Sequence, residues 1–164
     1  MIQAFNRAGI GVIMDVVFNH VNDGLHQSLG ISVPGYFFRV EGYSGAGEDT
    51  ASEREMFRKY MVDMLCFWLK EYKLSGFRFD LMGLHDVDTM NAIDAALKKI
   101  KKDVIIYGEG WQMYNAEKMI PSSMCNAAKM PGIGHFNDAF RCGVKGSAFD
   151  DNAAGFIHDG SHKE

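Results

Sequence analysis

The chain has 164 residues, of which 47% are hydrophobic and 23% charged, and its net charge is −4. This is the composition of a folded globular protein, with length for one domain at about 150 residues per domain. The acidic balance gives no electrostatic footing for nucleic acid, and no run approaches the roughly 18 to 20 consecutive apolar residues of a membrane span.

The opening MIQAFNRAGIGV has neither a basic n-region nor a long apolar core, so no signal peptide is read there; the location stays open, with the cytoplasm slightly favoured. Residues 3–8 read as the end of a helix that Gly9 stops. Residues 12–18 form a short, nearly continuous apolar run, the pattern of a strand buried on both faces in a parallel sheet. Residues 21–52 are an irregular stretch rich in Gly, Ser and aromatics, and a loop of that length in a compact domain is usually functional.

Ser52 and Glu55 have the spacing of a capping box and predict a helix start. Phe57, Tyr60, Met61, Met64 and Trp68 follow on one helical face. Cys66 sits in the apolar run 64–69 and reads as a small buried thiol; with no CxxC, the three cysteines give no metal or redox signal. That helix gives out near Leu74, and residues 77–80 read as the next strand. Residues 88–101 predict a second helix with an apolar stripe of Met90, Ile93, Leu97 and Ile100. Acids near its start and lysines near its end complement the helix dipole. Residues 104–109 are a third strand. Beyond Trp111 the pattern weakens. Residues 117–130 have room for a short helix, and 132–164 read as loop with weak signals near Phe136 and Phe149. Strand, helix, strand, helix, strand is two βαβ crossovers, hence a parallel sheet with helices outside it.

Each strand is apolar until its C-terminal end. There Asp15 with Asn19 and His20 closes the first, Arg78 and Asp80 the second, and Glu109 the third. Strand C-termini are where α/β barrels and open α/β sheets place their active sites. Arg78 and Asp80 share one face about 7 Å apart along the strand, with Phe77 and Phe79 turned to the helix layer. A neighbouring arginine favours an ionised carboxylate, as a nucleophile requires. Glu109 has no cation beside it in sequence, and an apolar pocket would suit it to general-acid work. Two carboxylates set apart in this way are a signature of glycoside hydrolysis. The same residues also admit plainer readings: a structural Arg–Asp ion pair, a helix-capping glutamate and a satisfied buried histidine.

Asp15-Val-Val-Phe-Asn-His20, Gly76-Phe-Arg-Phe-Asp80 and Gly108-Glu109, in that order, resemble three conserved regions of the α-amylase superfamily, glycoside hydrolase family 13. The fuller strings Gly76-Phe-Arg-Phe-Asp-Leu-Met-Gly83, Tyr107-Gly-Glu-Gly-Trp111, Val33-Pro-Gly-Tyr36, Thr50-Ala-Ser-Glu-Arg54 and Phe136-Asn-Asp138 are similar to type I pullulanases within it.

The resemblance implies a retaining enzyme that cleaves α-1,6-glucosidic links in pullulan, amylopectin or glycogen. Asp80 would be the nucleophile, Glu109 the acid/base, and Arg78 the group that orients Asp80. Asp15 and His20 would line the glucose subsite, with Asn19 supporting their loop. Leu81, Met82 and Trp111 would be apolar surface near the sugar, and Tyr36, Phe37 and Trp111 are aromatics available to stack on it. No cofactor is required; calcium is admitted in a longer parent protein, because the counterpart of Asn19 binds it in some relatives. The implied fold is a partial (β/α)8 barrel, roughly its third to fifth or sixth strand units, with 21–52 inserted after the first strand.

The sequence departs from the pullulanase pattern at Phe18, where a tyrosine is usual. A closed eight-stranded barrel takes about 200 residues or more, and the family's fourth region, a His-Asp pair on the seventh strand, has no convincing counterpart. His158-Asp159 comes too few elements after Glu109 to serve. The expectation is therefore an incomplete catalytic barrel over 1–164 that is inactive and self-associating on its own. The rival readings are a divalent-metal α/β barrel using Asp15, Asp80 and Glu109, a non-catalytic glycan-binding remnant, and, within the family, an isoamylase-like enzyme or an α-1,4-amylase.

Overall fold

The computed structural model describes residues 1–114, 119–147, 150 and 153–157; Phe149 and the His158-Asp159 pair lie outside them. A four-stranded parallel sheet is built from β1 (Ile13–Val16), β4 (Gly76–Phe79), β5 (Ile105–Gly108) and β6 (Gly134–His135), side by side in that order. The helix α1 (Ile2–Arg7) precedes β1. Between β1 and β4 lie a small antiparallel pair, β2 (His20–Val21) with β3 (Glu48–Asp49), the short helix α2 (Ser28–Ser32) and the long helix α3 (Glu55–Tyr72). The helix α4 (Val87–Ile100) joins β4 to β5, and α5 (Asp138–Lys145) follows β6. Among the described residues no helix is long and apolar enough to cross a membrane.

The sheet has two unlike faces because side chains alternate along a strand. One face carries Val16, Phe77, Phe79 and Ile106, all buried against Phe57, Met61, Leu65 and Leu69 of α3 and Met90, Ile93 and Leu97 of α4. The four α3 residues recur every fourth position, so they form one stripe on the helix. Each such side chain, fully buried, contributes about 1.5 to 3 kcal/mol of transfer free energy, and this layer is the principal core. The other face carries Ile13, Asp15, Arg78 and Tyr107, brought level by the register Asp15↔Arg78↔Tyr107.

Several sequence expectations are corrected. The first strand is not buried on both faces: Ile13 is 36% and the adjoining Val17 55% exposed, because β1 is an edge strand and its second face is uncovered. Ser52 does not cap α3. Its hydroxyl is buried and spent on Asp86, donating to Oδ2 at 2.7 Å and accepting from the backbone N–H at 3.0 Å, while Arg54 occupies the cap position without a side-chain bond to the helix N-terminus. Asp86 itself caps α4, accepting from the Thr89 N–H at 2.8 Å. Cys66 is half-buried rather than buried. The stretch read as loop after residue 132 supplies the fourth strand and α5.

Candidate active site

Asp80 and Glu109 each stand one residue past a strand end, and the ladder carries on through them. The Asp80 N–H donates to the Val16 carbonyl at 3.1 Å and the Glu109 N–H to the Phe79 carbonyl at 3.1 Å. Both side chains therefore keep to the uncovered face, with Arg78 and Asp15. Arg78 holds all three acids. Its Nη1 donates to Asp15 Oδ1 at 2.8 Å and to Asp80 Oδ1 at 3.1 Å, and its Nη2 donates to Glu109 Oε1 at 2.6 Å. Burial alone would lower the pKa of this guanidinium. The bonds to Asp15 and Asp80 and the charge of Glu109 outweigh that and raise it, so Arg78 is a permanent cation among carboxylates.

That contact corrects the expectation of a Glu109 with no cation near it. The neighbour is absent in sequence but arrives from the adjacent strand. Glu109 Oε2 accepts a second bond, from the Leu81 N–H at 3.0 Å. Leu81 is left-handed, with φ 39°, a conformation that costs a non-glycine residue about 1 to 3 kcal/mol. The sharp turn after Asp80 lets its N–H meet Glu109. The Gly83 N–H closes the same turn onto the Glu109 carbonyl at 2.9 Å. A Cβ on Gly83 would strike the Trp111 carbonyl, which explains a glycine at that place in the string 76–83.

Asn19 is fully buried and its Nδ2 donates to Asp80 Oδ2 at 3.3 Å. Thr50 fixes the 18–20 segment that carries it: its hydroxyl donates to the Phe18 carbonyl at 2.5 Å and its N–H to the Asn19 carbonyl at 3.0 Å. His20 is half-buried in β2, and its Nδ1 is buried without a hydrogen-bond partner. Trp111, half-buried, leans on Phe136 and lies under the Arg141 guanidinium at 5.9 Å.

Two expected members stand elsewhere. Met82 is fully buried in the core and is not surface: it lies in the 3₁₀ turn after β4 on the helix side. Tyr36 is placed at the start of α3, where its hydroxyl accepts from the Met56 N–H at 3.3 Å and its ring lies 5.6 Å from the Arg54 guanidinium. Sequence reasoning assigned no role to Phe136, whose ring lies 5.6 Å from the Arg78 guanidinium carbon. The only signal for it was its place in the string 136–138.

The donor set bears on metals. Asp15, Asp80 and Glu109 converge on a guanidinium, so their oxygens already serve a cation, and among the described residues no group of three or more His, Cys, Asp or Glu side chains is arranged to hold a metal. Asn19 Oδ1 is buried without a hydrogen-bond partner.

A parallel α/β sheet with an arginine and three carboxylates gathered at its strand C-termini places the chain in the α/β fold class, with its charged cluster where such folds carry their sites. No protein-family model matches the chain. It is similar to the pullulanase of Bacillus subtilis (strain 168), 42% identical over 166 residues, which cover 95% of this chain and 23% of that protein. It superposes on the crystal structure of a pullulanase from Anoxybacillus sp. LM18-11 complexed with maltotetraose, with a TM-score of 0.89 and 47% identity over 94% of this chain and 24% of that one. A pullulanase from Paenibacillus barengoltzii, in complex with maltohexaose and alpha-cyclodextrin, matches with a TM-score of 0.90 and 42% identity over 95% of this chain and 25% of that one. Over nearly its whole length the chain is homologous to a segment of the type I pullulanases. It spans about a quarter of the length of these relatives.

Proposed function

We propose that this segment carries the nucleophile and the acid/base of a retaining glycoside hydrolase that debranches α-glucans at α-1,6 links, and that its sheet is an arc of a (β/α)8 barrel. The observation that carries the reading is the single guanidinium, Arg78, with Asp80 on one terminal nitrogen and Glu109 on the other. Two carboxyl groups sharing one guanidinium suit the short separation, about 5 to 5.5 Å, that retention requires. Homology to pullulanases, two of them crystallised with maltooligosaccharides, supports the α-glucan.

In this mechanism Glu109 donates a proton to the bridging oxygen as Asp80 attacks the anomeric carbon, and a covalent glycosyl-enzyme forms. Glu109 then removes a proton from water, which displaces Asp80 with overall retention. The Arg78–Glu109 contact has to loosen as the sugar enters, because the acid must turn an oxygen to the leaving group. In this reading Asp15, 63% exposed at its side chain, and His20 would meet sugar hydroxyls. No cofactor enters these steps.

The isolated chain is expected neither to cleave nor to stay monomeric. Ile13, Val17 and Ile105 lie uncovered on the site face, and contiguous exposed apolar surface associates. The test is a graft: residues 1–164 replace the matching segment of the Bacillus subtilis relative, and linkage and anomeric configuration of the products from pullulan are read by NMR. Retained configuration with loss of α-1,6 links is the expected result. Inversion, or loss of α-1,4 links only, would overturn the reading.

A further inference from the structure

We propose that Phe136 is a positioning residue that holds the Arg78 guanidinium, and through it the carboxylate pair, by covering one flat face of the cation. The inference rests on the glycosidase reading for its importance, though not for its geometry.

The edges of the Arg78 guanidinium are occupied by Asp15, Asp80 and Glu109. Hydrogen bonds along the edges fix the plane only if the chain beneath it cannot swing. The faces remain, and a planar, weakly hydrated cation is suited to stacking on an aromatic ring. Phe136 supplies that ring at 5.6 Å from the guanidinium carbon, inside the roughly 6 Å range of a cation–π contact.

Phe136 is itself held in place. Its N–H donates to the Gly108 carbonyl at 3.1 Å, which extends the β6 ladder one step beyond His135. Its ring packs against Tyr107 at 5.8 Å and Trp111 at 6.4 Å. The next residue, Asn137, caps α5 by accepting from the Phe140 N–H at 2.9 Å. The aromatic is therefore anchored on both sides in sequence, although the residue is 37% exposed. By excluding water from one face of the cation, it also strengthens the three ion pairs, which weaken as the local dielectric rises.

The test reads Arg78 directly in the graft described above, because the isolated chain is expected to associate through the face that carries this arginine. Phenylglyoxal modifies free guanidinium groups, and peptide mass spectrometry gives the rate at each arginine. Arg39, 6% exposed at its side chain and ion-paired to Glu53 at 2.7 Å, reports on the integrity of the fold. Phe136→Leu keeps apolar bulk without a π face and should speed modification of Arg78 more than about twofold, the least a cation–π contact implies, with the Arg39 rate unchanged. Phe136→Tyr should restore the parent rate at Arg78. The proposal is overturned if Arg78 in Phe136→Leu reacts within twofold of the parent rate, or if Arg39 accelerates in parallel, which would mean the ring only maintains the fold. Neither result depends on whether the segment cleaves glucans, so failure here is separate from failure of the glycosidase reading.

Discussion

Arg78 Nη2 donates to Glu109 Oε1 at 2.6 Å, although the two residues are 31 positions apart and the arginine also holds Asp15 and Asp80. Both β4 and β5 are short, and the parallel register sets Arg78 level with Tyr107, two residues before Glu109. The reach of the arginine side chain covers that offset.

Arg78 is thus the group on which the arrangement turns. In the graft, Arg78→Ala should lower kcat on pullulan by about 10²-fold or more, the loss seen when one preorganised charge-stabilising donor is removed. Arg78→Lys should recover little of it, since one ammonium cannot serve two carboxylates in a fixed fork. Steady-state kinetics of both variants decides; full activity of the lysine variant would contradict the bridging role.

Ser52 tests the corrected reading of the α3 start. Its hydroxyl is buried against Asp86, which also caps α4 and pairs with Arg58 at 3.1 Å. Ser52→Ala leaves these buried groups short of a partner and should cost about 1 to 3 kcal/mol. Glu55→Gln, at an exposed position with no capping bond, should change stability by less than about 0.5 kcal/mol. Thermal midpoints of the two variants would expose the error if the order were reversed.

His85 predicts an acid-labile fold. It is fully buried edge-to-face against Phe79, and neither ring nitrogen has a hydrogen-bond partner. Burial, and then the charge of Arg39, push its pKa down to about 4. An unfolded histidine titrates near 6.5. Between about pH 6.5 and 4 the unfolded chain binds a proton that the folded chain refuses, so stability falls as pH is lowered through that window. His85→Phe should flatten the thermal midpoint over that range. A slope as steep as the parent's would assign it to other groups.

The string Gly76 to Gly83 owes its glycines to close contact: a Cβ on Gly76 would strike the Ile105 carbonyl. A Cβ on Gly83 would meet the Trp111 carbonyl, and the Gly83 N–H is needed by Glu109. Gly83→Ala should destabilise the chain by about 1 to 3 kcal/mol through forced backbone movement. In the graft it should also lower kcat, since the turn that presents the Leu81 N–H to Glu109 would shift. A stable variant with unchanged kcat would show that the turn has slack.

Much of this layout was legible in the chain. The apolar runs of β1, β4 and β5 end in acids, and their order alone implies a parallel sheet with those acids at one end. The stripe of α4 and its lysine-rich end were equally plain. What escaped depended on neighbours distant in sequence. β6 is two residues, Gly134 and His135, with no apolar run; it is a strand only because Tyr107 and Gly108 offer it a ladder. Met82 looked like site surface because it follows Asp80 closely, but the left-handed turn at Leu81 sends it into the core. Ser52 matched a local capping pattern, yet Asp86, 34 positions on, competes for its hydroxyl and takes it. The partnership of Phe136 with Arg78 joins residues from β4 and the end of β6, and no local pattern encodes it.

Asp80 as nucleophile and Glu109 as acid/base are the roles on which the proposed reaction depends. The most direct measurement is kcat on pullulan for the graft and for its Asp80→Asn and Glu109→Gln variants, with circular dichroism to verify folding. The graft should be active and each variant should lose about 10³-fold or more, since each removes a group from the bond-breaking step. A folded Asp80→Asn or Glu109→Gln variant that keeps activity within tenfold of the graft would contradict these roles.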